Sequence, residues 1–181
     1  MTQRFGRKLA ARLRKLRKRE DGNATIEFVI MFPLVFTLFL SSFELGLMSL
    51  RQVMLERSVD IVVRQLRLGY LPNPTQETLR TMICNRAALI PDCLNSLMIE
   101  LRPVSTVTWE PLGSDTICKN RSQNIEGPPL HPGSAHEMIL VRVCASVVPF
   151  FPTSKLGMSL ARDELGGYAL VASSAFVNEP R

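Results

Sequence analysis

Few side chains in this chain could do chemistry, and most of them are carboxylates or thiols. Glu27 stands directly before a long apolar stretch and Glu44 stands inside it as its one charge. A carboxylate at the edge of an apolar medium is costly unless it is protonated, paired or able to snorkel to water. Each of the two therefore needs a partner or an interface. Glu44 either marks the outer end of a membrane span or bonds to a neighbouring helix, and both readings stand at this point. Gly22 lies five residues before Glu27. With no side chain, its backbone can lie extended in a protease cleft; the plain alternative is a loop glycine. The four cysteines, Cys84, Cys93, Cys118 and Cys144, lack the two close C-x2-C pairs of a zinc ribbon. The only histidines are His131 and His136. They sit in a Pro/Gly-rich stretch with no helix to align them, so no metal site is expected. There is no glycine-rich phosphate loop and no G-x-S-x-G elbow, and Ser154-Lys155 is not an S-x-x-K motif. No catalytic residue, cofactor or metal is expected.

The elements that must position these residues follow from charge and hydropathy. The chain has 181 residues and a net charge of +6, room for one ordinary domain. The charge is unevenly spread. Residues 1–22 carry nine Lys/Arg and two acids, and the remainder is close to neutral. A nucleic-acid-binding surface on the folded body is therefore not expected. Residues 28–50 form a run of 23 residues whose one charge is Glu44. As a helix it would be roughly 34 Å long, enough for a hydrocarbon core of about 30 Å. The basic block before it puts the N-terminus in the cytoplasm and residues 51–181 outside. A buried helix of a soluble core fits poorly beside so dense a positive block. A cleaved secretory signal fits poorly too, because the run is long and no A-x-A site follows.

The junction reads Asp21-Gly22-Asn23-Ala24-Thr25-Ile26-Glu27-Phe28 and is followed by Pro33 and by Glu44-Leu45-Gly46. This resembles the prepilin peptidase site of type IV pilin-like proteins. It is most similar to the TadE-like family of minor pilins, or pseudopilins, of the Flp/Tad tight-adherence system. The resemblance is strong over about residues 18–50 and looser beyond, where it rests on the cysteines, a β-rich body and the closing Val177-Asn178-Glu179-Pro180. One departure is Phe28, where such sites often have tyrosine; the ring is kept. The resemblance implies cleavage after Gly22 by a prepilin peptidase, with Asn23 as the new N-terminus and 159 of the 181 residues retained. It implies that Glu27 pairs with the freed α-amino group, of the same or a neighbouring subunit, during assembly. The implied partners are the peptidase, other pilins and pseudopilins, Tad assembly platform proteins and membrane lipid. The implied roles are pilus assembly, adhesion and biofilm formation from the bacterial inner membrane. Two other readings remain: an uncleaved signal-anchored binding module, and a pseudopilin of type II secretion, where Phe usually follows the cleaved Gly directly. From the residues alone, Pro33 removes a helical hydrogen bond and Gly46 permits close helix contact.

Beyond the span, Leu55, Val59, Val62 and Leu66 recur on one helical face. One helix is expected over about residues 26–68, with Gly69 as C-cap and Pro72 blocking continuation. Asn73 and Pro74 look like the N-cap and first residue of a second helix. Its stripe is Leu79, Met82, Ile83, Ala87 and Ile90, ended by Pro91. Residues 97–102, 138–148 and 168–177 read as strands, and 104–109 either extends the first or forms its own. Residues 111–136 and 149–166 read as loops. Trp109 and the Phe150-Phe151 pair fit core or loop packing better than partner contact. The expected fold is α+β, a long pilin-like helix packed on a small antiparallel sheet. The expected divisions are a leader 1–22, a transmembrane part 23–50, an amphipathic continuation 51–69 and an external periplasmic domain 70–181. With all four cysteines in an oxidising compartment, two disulfides are expected. Of three connectivities, Cys84–Cys93 with Cys118–Cys144 is favoured, because the first closes a helix end onto its following loop; four free thiols are the alternative.

Overall fold

The computed structural model describes residues 23–71, 73–108, 118, 128–152, 158 and 166–179. The basic segment 1–22 with Gly22, and also Pro72, Trp109, Ser154 and Lys155, lie outside the described residues. Among the described residues six elements follow in order: α1 (Asn23–Arg67), α2 (Gln76–Cys84), α3 (Cys93–Ser96), β1 (Leu97–Val104), β2 (Met138–Val147) and β3 (Tyr168–Val177). The chain divides into two compact units, Met1–Leu40 and Ser41–Arg181.

In the first unit, α1 beyond Glu27 is apolar on every side. Ile26, Phe28, Val29, Ile30, Met31, Phe32, Leu34, Val35, Phe36, Leu38 and Phe39 are all exposed. Phe28, Phe32 and Phe36 stack along one face with ring centroids 5.2 and 5.4 Å apart. A helix that is apolar all round belongs in a core or a membrane. Among the described residues of the first unit nothing covers this one, and α1 is long and apolar enough to span a bilayer. Thr37 gives its hydroxyl to the carbonyl of Leu34 at 2.9 Å, so this hydroxyl is satisfied within the helix itself.

In the second unit, α1 becomes two-sided. Leu55, Val59, Val62, Val63 and Leu66 are buried in one core with the sheet. The helix ends as a Schellman motif: Tyr70 N–H reaches Gln65 O at 3.1 Å and Gly69 N–H reaches Leu66 O at 3.0 Å. Gly69 has φ +72°, the left-handed conformation this cap requires.

The sheet has three strands in the order β1-β2-β3, both pairs antiparallel. Its register places Ile99 opposite Val143 and Leu101 opposite Val141. On the other side, Val143 faces Ala172 and Ile139 faces Phe176. These residues, with Leu97, Ala145, Val147, Tyr168 and Leu170, form the buried face toward α1 and α2. Strand β1 stops at Val104 rather than running on toward Trp109. Ser105 Oγ accepts the N–H groups of Val107 and Thr108 at 3.3 and 3.2 Å, a side-chain turn that turns the chain away from the ladder.

Helix α2 departs from expectation at both ends. Its N-cap is Thr75, whose side chain accepts from Thr78 N–H at 3.1 Å, not Asn73. A hydroxyl two residues later in the chain wins because it reaches the free N–H two to three positions into the helix. The helix also ends at Cys84. Ala87 and Ile90 are buried, as the stripe requires, but from turns rather than from helix. The disulfide Cys84–Cys93 folds the chain back at this point and joins α2 to α3. The second disulfide, Cys118–Cys144, ties residue 118 to β2. Cys144 alternates with the core positions Val143 and Ala145, so this bond sits on the sheet face away from α1.

Candidate assembly and membrane interface

Glu27 and Phe28 lie in the first turns of the described helix and are exposed. Glu27 has no hydrogen bond or ion pair among the described residues. Its carboxylate is free to meet a partner from outside the described chain. Pro33 lies within α1. Gly46 is exposed, and a Cβ built there would meet nothing within 4 Å. No contact among the described residues demands glycine at this position.

Glu44 is different. It is fully buried, 0% exposed, in the second unit. Its two carboxylate oxygens accept the backbone N–H groups of Phe150 and Phe151 at 3.0 and 2.8 Å. The side chain thus clamps the turn that follows β2 onto α1. Neither sequence reading of Glu44, an interface marker or a bond to another subunit's helix, included this intrachain partner.

Two helical turns further on, Arg51 makes the complementary contacts, and sequence reasoning missed it. Its side chain is 8% exposed. Nε donates to Leu89 O at 3.2 Å, and one Nη donates to Val148 O at 3.4 Å and to the Tyr168 hydroxyl at 3.2 Å. Buried arginine is tolerated where its donors find acceptors. Here they gather the loop before α3, the end of β2 and the start of β3 onto one helix face. Gln52 adds a bond from Nε2 to Val171 O at 2.9 Å. The spacing of Glu44 and Arg51, seven residues and so one helix face, was the available signal.

The Glu44 clamp sets out a cluster of rings. Phe43 lies 6.1 Å from Phe150 and 5.9 Å from Phe151, and the two loop rings are 5.0 Å apart, all edge to face. Phe43 and Phe150 remain exposed.

At the far end of the sheet, the Arg67–Glu179 ion pair at 3.0 Å lies beside a cleft of about 390 Å³. Asn178 closes that end by donating to Pro132 O and Ser134 O at 2.7 and 3.1 Å. The backbone N–H of His136 bonds to Asn178 O, and that of His131 to Leu101 O. Both histidines thus lie where main-chain bonds pin the chain. Among the described residues no three of His, Cys, Asp or Glu come together as metal ligands do.

Residues 22–64 match the family model described as TadE-like protein. The match spans Gly22, Glu27, Phe28, Pro33, Glu44, Gly46 and Arg51, and leaves the sheet outside it. No curated protein matches the chain, and no solved structure does.

Proposed function

Taking the TadE-like match over residues 22–64 as premise, we propose that this chain is a minor pilin or pseudopilin of an Flp/Tad-type pilus system. Its role is non-enzymatic. It is held in the bacterial inner membrane by α1, with the basic segment in the cytoplasm and the cysteine-bearing domain in the periplasm. A prepilin peptidase cuts after Gly22, and the mature chain begins at Asn23. The chain then joins other pilins or pseudopilins on the Tad assembly platform and serves pilus assembly, adhesion and biofilm formation.

One observation carries this reading: the family match begins at the glycine of the junction and runs through the apolar helix. Three features of the helix support it. Beyond Glu27 its first unit is apolar on all sides, as a lipid- or subunit-embedded helix is. Glu27 is exposed and unpaired among the described residues, so its carboxylate is available to an incoming α-amino group, which a buried assembly would otherwise leave uncompensated. Gly46 presents open backbone to a neighbour.

The test is Glu27→Ala in the producing organism. Cleavage is expected to proceed, with the protein lost from sheared pilus fractions. Normal incorporation of the variant would sink the pairing role of Glu27.

A further inference from the structure

We propose that residues 148–152, together with Phe43, form a second membrane element of this protein: an aromatic loop that sits in the outer leaflet beside α1 and contacts lipid directly. The inference rests on the reading of α1 as a membrane span.

The loop is Val148-Pro149-Phe150-Phe151-Pro152. Irregular backbone is tolerated at membrane depth only where its polar groups are satisfied by protein. This loop meets the condition for its donors. Pro149 and Pro152 have no N–H. The two that remain, of Phe150 and Phe151, are both taken by the Glu44 carboxylate. The segment 149–152 therefore offers no free N–H to water. The same bonds satisfy a carboxylate that would otherwise be stranded in an apolar run.

Among the described residues, the stretch of α1 beside the loop also shows no charge outward. Between Ser41 and Leu55 the helix carries two charges, Glu44 and Arg51. Both turn inward, at 0% and 8% exposure. The large apolar side chains it exposes include Phe43, Leu45, Leu50 and Val53; Phe43 meets the loop rings, and on the loop itself Val148 and Phe150 are exposed too. No charged side chain of α1 is exposed across this stretch.

The level of the loop follows from Phe43. This residue belongs to the apolar run of residues 28–50, seven residues short of its outer end at Leu50, which is about 10 Å of helix. Both loop rings contact Phe43. Whatever bathes the run at that level therefore bathes the exposed Phe150 and the uncovered part of the half-buried Phe151. This continuity favours lipid over a protein partner, because a protein surface could supply acceptors and would not require the loop's donors to be silenced. Aromatic rings near the outer boundary are also what an interfacial belt uses.

The test uses the full-length protein reconstituted in phosphatidylcholine vesicles with brominated acyl chains, which quench tryptophan on contact. The background is Trp109→Phe, with single reporters Phe150→Trp, Phe151→Trp, Leu34→Trp and Val107→Trp. Leu34 is exposed in the apolar part of α1. Val107 is exposed beyond the end of β1, about 20 Å or more along the sheet from the loop. Circular dichroism confirms that each variant folds. The expected result is quenching at positions 150 and 151 to about half or more of that at position 34, with position 107 unaffected, at both high and low protein-to-lipid ratio. Quenching at 34 with positions 150 and 151 as bright as 107 would overturn the loop's membrane role and leave the span intact. Absence of quenching at 34 would overturn the span and the loop together. Emission at 150 that shifts to the blue only as protein density rises, without quenching, would overturn the proposal in favour of a subunit contact.

Discussion

Replacing Glu44 probes the clamp on which the outer half of the structure depends. Its carboxylate is fully buried and accepts two backbone N–H groups at 3.0 and 2.8 Å. Hydrogen bonds to a charged group contribute about 1.5–3 kcal/mol each, and an orphaned donor costs a similar amount. Glu44→Ala removes both bonds and leaves both donors without an acceptor, so a loss of about 3–5 kcal/mol is expected. A domain is typically stable by only about 5–15 kcal/mol, so the change is large. Glu44→Gln keeps one acceptor oxygen but turns an amide –NH2 toward the second donor. Roughly half the loss, about 2 kcal/mol, is expected there. The assay is denaturant unfolding of the full chain in detergent, followed by near-ultraviolet circular dichroism. Amide hydrogen exchange at Phe150 and Phe151 reports locally and should speed up in both variants. The reasoning has a definite opponent: the desolvation of a buried carboxylate can outweigh what it gains. Glu44→Leu as stable as the wild type, with exchange at both amides unchanged, would refute the clamp.

Three further outcomes follow from the same geometry. Gly69→Ala should destabilise by about 1 kcal/mol in the same unfolding assay, because φ +72° penalises a side chain. Cys118→Ser with Cys144→Ser should cost about 3.5 kcal/mol by the loop-closure estimate for a separation of 26 residues, and free-thiol titration of the oxidised wild type should find none of the four cysteines. Gly46→Ala should leave the isolated chain as stable or slightly more so, by up to about 1 kcal/mol from helix propensity, since its Cβ meets open space. If Gly46 is a close helix contact in the assembled pilus, the same variant lowers pilus yield; unchanged yield would remove it from the interface.

Much of the fold was legible because its signals are long and periodic. The helix expected over residues 26–68 is α1 at Asn23–Arg67. An unbroken apolar run followed by Leu55, Val59, Val62 and Leu66 leaves little room for another structure. The glycine at its end announced the Schellman cap. The alternation Leu97, Ile99, Leu101 and its counterparts in β2 and β3 marked the three strands of the α+β fold. What stayed hidden rests on contacts between distant segments. Thr75 and Asn73 are both competent caps by type, and only the backbone path decides between them. The stripe through Ala87 and Ile90 kept helical spacing although turns, held by Cys84–Cys93, carry those residues. The partners of Glu44 and Arg51 are mostly backbone groups at positions 89, 148, 150 and 151, and no side-chain pattern marks a backbone acceptor or donor. Two charges seven residues apart, and so on one helix face, were the visible trace of that contact. Their meaning needed the turn after β2, which the sequence shows only as Pro-Phe-Phe-Pro.

The central claim is that this chain is a prepilin peptidase substrate, and its N-terminus tests it most directly. Intact mass and N-terminal sequencing of the membrane-extracted protein would be compared between cells with and without the peptidase. The account predicts a start at Asn23 that depends on the peptidase, and a start at Met1 or Thr2 without it. A start at Met1 or Thr2 in both would contradict processing and make the chain an uncleaved anchor. A start beyond residue 40 would mark an ordinary signal peptide and remove the span itself.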